Sequence, residues 1–363
     1  MGARLAGARV LTAGELNRAT LARQLLLRRH GLSVARALER IGGLQAQKVT
    51  APYVGLLARL DPFTHEALSR GLERRRVVKA TLMRGTLHLV SAEDYLALSP
   101  ALQPTLEVLW RPYAPAADPL DYEQVVRATL EYVSEQRSGP ELRDFVAGLC
   151  DVEPAAAENL WWRIRTNAPL LRVPPDGVWG GGPRVWFQTA RSWLGREPEI
   201  DRGAATTALV VRFLAAFGPA RLADLCQWSG LQASAVRPSV ERLEPRLRRF
   251  RDERGRELLD LRRAPIPPAD APAPARLLGM WDSTLLAYEE RARVLPDEYR
   301  KVVIDKRGDV AQTILVHGSV AGVWHAERGR VRLGPFTPLP LRARREVEEE
   351  AARVEAFLAR APQ

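Results

Sequence analysis

No apolar run in the sequence approaches the roughly 20 residues needed to cross a bilayer. Residues 1–10 hold two arginines but no extended apolar stretch of the kind that directs secretion. Cysteine is nearly absent. Cys150 and Cys226 are too few for a disulfide framework and lack metal-ligand spacing. These shortages predict a cytoplasmic chain with no membrane segment. The five histidines (His30, His65, His88, His317 and His325) are scattered, none at metal spacing. No Walker A loop, no G-x-S-x-G elbow, no H-E-x-x-H pair and no dinucleotide fingerprint occurs. The run Gly180-Gly181-Gly182 falls in turn-rich sequence and reads as turn material. Neither a metal nor an organic cofactor is expected.

Lysine is scarce as well: only Lys48, Lys79, Lys301 and Lys306 occur, yet Lys plus Arg total 54 against 43 acidic residues, a net charge of +11. A basic excess of this size favours a polyanionic partner. The same arginine bias, with abundant alanine and proline, also fits a GC-rich coding sequence. Charge alone leaves both explanations standing. Apolar residues make up 46% of the chain, enough to fill a sizeable core.

The pattern along the chain repeats. Helical periodicity is visible over residues 16–27, 34–41, 52–60 and 64–74, with Ser33 and Thr64 as caps. β-formers at 77–83 and 86–90 then flank Arg84-Gly85 as a hairpin. A second series follows. Helices are expected over 122–135, 141–149 and 154–166, and strands over 170–173 and 184–187. A third has helices over 204–217, 221–228 and 235–243, with strands over 247–250 and 257–261. Gly139-Pro140 and Gly218-Pro219 mark equivalent turns in the last two. Helices followed by a hairpin outline a winged helix. The predicted fold is therefore α+β, mainly α: three tandem winged-helix domains at 1–115, 116–200 and 201–263. A Pro/Ala linker at 264–275 precedes a small β-barrel-like domain at 276–363. Its short strands are expected at 301–304, 312–316, 321–325 and 330–333, before a charged helix at 341–358. Trp161, Trp162, Trp228 and Trp324 read as core residues.

The most distinctive short segment is Gly42-Gly43-Leu44-Gln45-Ala46-Gln47, followed by Ala51-Pro52-Tyr53. In a strand-like conformation the amides of Gln45 and Gln47 would point the same way. Each would offer a carbonyl acceptor and two N–H donors. Two polar residues at a helix end also suit an ordinary solvated cap.

Ordered matches along nearly the whole chain extend this signal. They include Leu16-Asn17-Arg18-Ala19, Gly43-Leu44-Gln45-Ala46-Gln47, Met83-Arg84-Gly85-Thr86-Leu87-His88 and Val178-Trp179-Gly180. Further along come Phe217-Gly218-Pro219-Ala220, Trp228-Ser229-Gly230-Leu231, Trp281-Asp282, Val294-Leu295-Pro296 and Val320-Ala321-Gly322-Val323-Trp324. On these residues the chain resembles the AlkZ-like (YcaQ-like) winged-helix DNA glycosylases. The resemblance implies removal of alkylated purines from double-stranded DNA, in repair or in self-resistance to a DNA-alkylating natural product. It marks Gln45 and Gln47 as the family's catalytic glutamine–apolar–glutamine element. A sister branch carries aspartate at the second position, which this sequence lacks. Two departures bear on lesion preference: Arg307-Gly308 lacks an asparagine expected there, and Lys48 follows the motif where a less basic residue is expected.

The implied chemistry suits the residue type. Alkylation at guanine N7 or adenine N3 makes the base cationic and a good leaving group. Placing a water at C1′ and stabilising positive charge on the sugar is what remains, and a glutamine carbonyl can do both. With no lysine in the motif except Lys48 beside it, a monofunctional enzyme is expected. Candidate DNA contacts are Lys48, Arg84, Arg163, Arg165, Arg184, Lys306 and Arg307. The last two sit at a predicted hairpin tip suited to groove insertion. A monomer is expected. The rival reading is a non-catalytic winged-helix regulator, which would leave the glutamine pair without a task.

Overall fold

The computed structural model describes residues 7–110, 122–153, 155 and 157–361. The first helix, Ala13–Arg23, begins at a reciprocal cap: Thr12 Oγ1 accepts from the Glu15 N–H, and the Glu15 carboxylate accepts from the Thr12 N–H. Helices Val34–Ile41, Thr50–Leu57 and His65–Glu73 follow, then strands Val77–Thr81 and Leu87–Ser91. Between these strands Arg84 adopts a left-handed conformation (φ 55°). A long helix, Ala92–Trp110, then crosses the molecule and packs on helix Arg202–Phe217. Sequence periodicity had given no hint of that long helix, because Pro100 and Pro104 interrupt it.

The second series comprises helices Tyr122–Tyr132, Gly139–Cys150 and Glu158–Asn167 with strands Leu170–Val173 and Trp186–Thr189. The third comprises helices Arg202–Phe217, Leu222–Ser229 and Ala233–Arg242 with strands Leu247–Asp252 and Glu257–Leu261. The hairpins of the first two series are not separate. They join in one six-stranded sheet ordered Leu44–Gln45, Leu87–Ser91, Val77–Thr81, Leu170–Val173, Trp186–Thr189, Arg137–Ser138. The seam is the antiparallel pairing of Lys79 with Arg172. The third hairpin takes an N-terminal strand, Val10–Leu11, in parallel on its edge.

The C-terminal region corrects one expectation. Strands Arg276–Leu278, Thr313–Val316, Ser319–Glu327 and Arg330–Pro335 form an open antiparallel meander in which the outer strands do not meet, so no barrel closes. The physical reason is the last helix, Leu341–Leu358. Its apolar stripe of Ala343, Val347, Ala351, Val354 and Phe357 packs against the sheet, burying the face that a barrel would close on itself. The β-branched residues at 301–304 also misled. Arg300–Val303 is a helical turn, with Val303 buried and Val302 61% exposed, and Ile304 makes only an isolated bridge to Val310. The Pro/Ala segment is held down, with the Ala271 carbonyl accepting from Arg18 Nε at 2.6 Å.

The largest apolar core cluster gathers Val78 and Val90 of the shared sheet with Phe213, Phe217 and Trp228 of the third series. Another joins Leu44 and Tyr53 to Trp324 and Phe357. The C-terminal region is thus fused to the first helices. No helix among the described residues is long and apolar enough to cross a membrane.

Candidate active site

The glutamine segment owes its shape to two glycines. Gly42 ends helix Val34–Ile41 in the left-handed conformation (φ 76°), and Gly43 follows at φ 86°. A side chain at Gly43 would place its Cβ 2.8 Å from Val90 Cγ1 and 3.1 Å from the Leu89 carbonyl. Only glycine lets the chain turn from the helix straight onto the sheet edge. There Leu44 pairs with Leu89 and Gln45 with His88, and the Ala46 N–H donates to the Leu87 carbonyl at 2.7 Å.

The two glutamines occupy different environments. Gln47 is exposed, and its Oε1 accepts from the Leu87 N–H at 2.9 Å. Its side chain thereby continues the ladder by one rung. Since an N–H can be met only by the amide oxygen, the orientation of this amide is fixed. Gln45 is 8% exposed, with Oε1 accepting a long hydrogen bond from Arg84 Nη2 at 3.4 Å. Arg84 also donates to the Trp228 carbonyl. Burial, with Arg291 nearby, brings the Arg84 guanidinium down to about 10, so it stays charged near neutrality. Behind them, His88 is 1% exposed and its Nδ1 lies 2.9 Å from the Thr86 carbonyl, which requires the proton on that nitrogen. Burial, helped by Arg84, pushes this imidazole down to about 3.

Gln47 opens on a cleft of about 160 Å³. One wall comes from the first hairpin through Thr81, Gly85 and Leu87. The other comes from the second series through Trp162, Arg165, Thr166, Leu170, Arg172 and Phe187. None of these lining residues is acidic. Arg165 has no ion pair among the described residues. Arg172 reaches Asp176 at 3.5 Å, an acid already paired with the buried Lys79 at 2.8 Å.

Of the residues singled out in the sequence, Gln47 and Arg165 therefore meet across the cleft, and Gln45 meets Arg84 in a separate contact next to it in the chain. Lys48 is exposed, with Nζ 5.9 Å from the Trp281 ring centre. Trp281 in turn donates from Nε1 to Asp309 at 3.2 Å and from its backbone N–H to the Val310 carbonyl. The exposed turn bearing Lys306 and Arg307 is closed by the Ile304–Val310 bridge and by Asp305, which accepts from the Arg307 and Asp309 N–H groups. That turn is thus tied to the glutamine segment through Trp281. Arg184, over Trp186 at 5.7 Å, lies in an adjoining groove that shares Arg165 and Phe187 with the cleft. Arg163 is the outlier, stacked 3.3 Å from the Tyr122 ring centre. Trp161, Trp228 and Trp324 are buried as expected, whereas Trp162 lines the cleft. Arg172 was missed. The available signal was a lone charge in the otherwise apolar strand Leu170–Val173.

Comparison with known proteins gives the chain a class, the DNA glycosylases, hydrolases that act on N-glycosyl bonds. Residues 38–357 match the family described as DNA glycosylase AlkZ-like, and the chain belongs to that family. The chain is 26% identical over 374 residues, covering 92% of each protein, to the interstrand DNA cross-link repair glycosylase of Streptomyces sahachiroi. Its fold is similar to that of the solved Streptomyces sahachiroi DNA glycosylase AlkZ. The TM-score is 0.80 at 20% identity, covering 96% of this chain and 97% of that one.

Proposed function

We propose that the chain removes alkylated purines, N7-alkylguanine foremost, from double-stranded DNA by hydrolysis at C1′, with Gln47 and Gln45 as the catalytic pair. One observation carries the reading: the Gln47 carbonyl is held in place at the mouth of a cleft whose opposite wall supplies arginines and no acid. A carbonyl oxygen accepting one hydrogen bond keeps a second lone pair. That lone pair can orient a water, and its negative dipole end favours charge developing on the sugar. An amide is no effective base near neutral pH, so the chemistry relies on a leaving group that is already cationic and on positioning. Gln45, mostly buried and facing Arg84, completes the pair from behind.

Arg165, Arg172, Arg184, Lys48 and the Lys306–Arg307 turn suit phosphates on either side of the reacting nucleotide. Attack within the duplex, without extruding the base, would admit bulky or cross-linked lesions, since flipping costs unstacking energy and needs room. The relative's activity on interstrand cross-links supports extending the substrate range in that direction. In this reading the three helix-and-hairpin series act as winged-helix units, and the enzyme works as a cytoplasmic monomer without a cofactor. Both cleft walls come from one chain. It is monofunctional: Lys79 is buried in an ion pair and no lysine lines the cleft. A regulator would give the fixed amide of Gln47 nothing to do. The test is single-turnover excision of N7-methylguanine from duplex DNA by the protein and by Gln45→Ala and Gln47→Ala. Loss of about a hundredfold or more is expected for Gln47→Ala, and unchanged rates in both variants would end the proposal.

A further inference from the structure

Arg84 sits in the turn between strands Val77–Thr81 and Leu87–Ser91 at φ 55°, a backbone conformation that glycine adopts freely and residues with a Cβ rarely do. At a position suited to glycine, this arginine makes two contacts that glycine could not. Its Nη1 donates to the Trp228 carbonyl and its Nη2 to Gln45 Oε1 at 3.4 Å. Trp228 belongs to the last turn of helix Leu222–Ser229, where carbonyls lack partners within the helix. The guanidinium thus lies at the negative end of a helix, which favours a cation there without a carboxylate. Arg84 makes no ion pair among the described residues. The helix end is seated on the turn: a Cβ added at Gly230 (φ 84°) would come 3.5 Å from Arg84 Cα and 3.6 Å from its backbone nitrogen. The third series therefore holds Arg84, and Arg84 meets Gln45.

A guanidinium carries donors only, so the Gln45 amide must turn its oxygen to Arg84. Its Nε2 then points elsewhere. That nitrogen has no hydrogen-bond partner among the described residues, yet it is not sealed off, and Gln45 keeps 8% of its surface exposed. His88, its cross-strand partner, is buried and neutral and brings no competing charge. Gln47 differs, because its Oε1 accepts from an uncharged backbone N–H. An oxygen facing a cation is poorly placed to stabilise further positive charge. An N–H on the same amide, polarised by that cation, is a stronger donor.

We infer that Arg84 is a positioning residue rather than a phosphate ligand: it fixes the Gln45 amide with Nε2 outward, so that Gln45 donates a hydrogen bond to an acceptor atom of the damaged nucleotide while Gln47 supplies the carbonyl. The inference rests on the reading of the two glutamines as the catalytic pair and divides the labour between them.

The test is single-turnover excision of N7-methylguanine from duplex DNA, over enzyme concentrations that separate the maximal rate from half-saturation. The full-length protein is compared with Gln45→Ala, Gln45→Glu, Gln47→Ala, Arg84→Met and the double variant Arg84→Met with Gln45→Ala. Gln45→Glu keeps the shape and the acceptors but removes the donor, and its carboxylate can pair with Arg84. It is expected to be as slow as Gln45→Ala, about tenfold or more below the unaltered protein. A Gln45→Glu rate within about threefold of the unaltered protein would overturn the donor role. Arg84→Met is expected to lower the maximal rate by about tenfold, with half-saturation and the salt slope of binding unchanged. In the Gln45→Ala background it is expected to cost no more than about threefold. A salt slope smaller by about 0.9 would make Arg84 a phosphate contact. Losses that multiply in the double variant would make its effect independent of Gln45. Either result overturns the positioning role. Should Arg84→Met fail to fold, Gln45→Glu decides alone. If Gln45→Ala excises at the full rate, the inference falls. If Gln47→Ala does so as well, the catalytic reading falls with it.

Discussion

Acidification probes the inside of the site through His88. In the folded protein this imidazole is sealed under the sheet edge and held neutral down to about pH 3, by burial first and by the Arg84 charge second. In the unfolded chain it protonates near its ordinary value of 6.5. The unfolded state therefore binds the extra proton first. The stability from keeping His88 neutral is fully present above pH 6.5 and is lost as pH falls from 6.5 towards 3. At pH 5 the loss amounts to about 2 kcal/mol, from 1.36 kcal/mol per unit over one and a half units. Urea unfolding at pH 8 and pH 5 measures it. Other groups titrate too, so the informative quantity is the difference between the protein and His88→Gln. The unaltered protein should lose about 2 kcal/mol more than the variant. Nuclear magnetic resonance of the imidazole should show the neutral form persisting below pH 5, with the proton on Nδ1. Parallel losses in the two proteins, or a titration midpoint near 6, would show a cation behind Gln45 and refute the electrostatic picture of the site.

Three further outcomes are expected. Arg165→Gln, and separately Lys306→Gln with Arg307→Gln, should reduce the slope of log binding constant against log salt by about 0.9 for each phosphate contact removed. A fluorescence anisotropy titration over salt checks this, and an unchanged slope would remove the residue from the interface. Arg59→Met strands the Asp282 carboxylate, which is 2% exposed and meets Arg59 at 2.8 Å through both oxygens. A loss of about 3–5 kcal/mol in unfolding free energy is expected, partly restored by adding Asp282→Asn. Gly43→Ala demands a left-handed alanine in contact with Val90, so it should destabilise the fold by about 1–3 kcal/mol and lower excision as the glutamine segment shifts. Circular dichroism melting and the excision assay read both effects.

What the sequence disclosed was mostly local. Helix Leu341–Leu358 and strands Leu170–Val173 and Glu257–Leu261 were placed to the residue, because caps, turns and periodicity act over a few positions. The Gly42-Gly43 break and the following glutamines were legible for the same reason. Pairing between distant segments was not. Nothing at Lys79 or Arg172 announces that two hairpins share a sheet. The parallel docking of Val10–Leu11 on Leu247–Asp252 joins residues some 240 positions apart. The unequal burial of Gln45 and Gln47 depends on Arg84, whose left-handed backbone carries its guanidinium onto the motif. The barrel failed because a sheet's open face can be covered by another element as readily as by itself. Here the choice fell to a helix that the sequence had placed correctly but left unpartnered.

The seam at Lys79 and Arg172 has a mechanical consequence. The two walls facing each other at Gln47 are joined at that one residue pair and so belong to one sheet rather than to two separate jaws. On the proposed reading, walls joined in this way leave distortion to the duplex, and a damaged, more deformable step meets that demand at lower cost than intact sequence. In that reading, part of the discrimination between sound and injured DNA is delegated to the elasticity of the DNA itself.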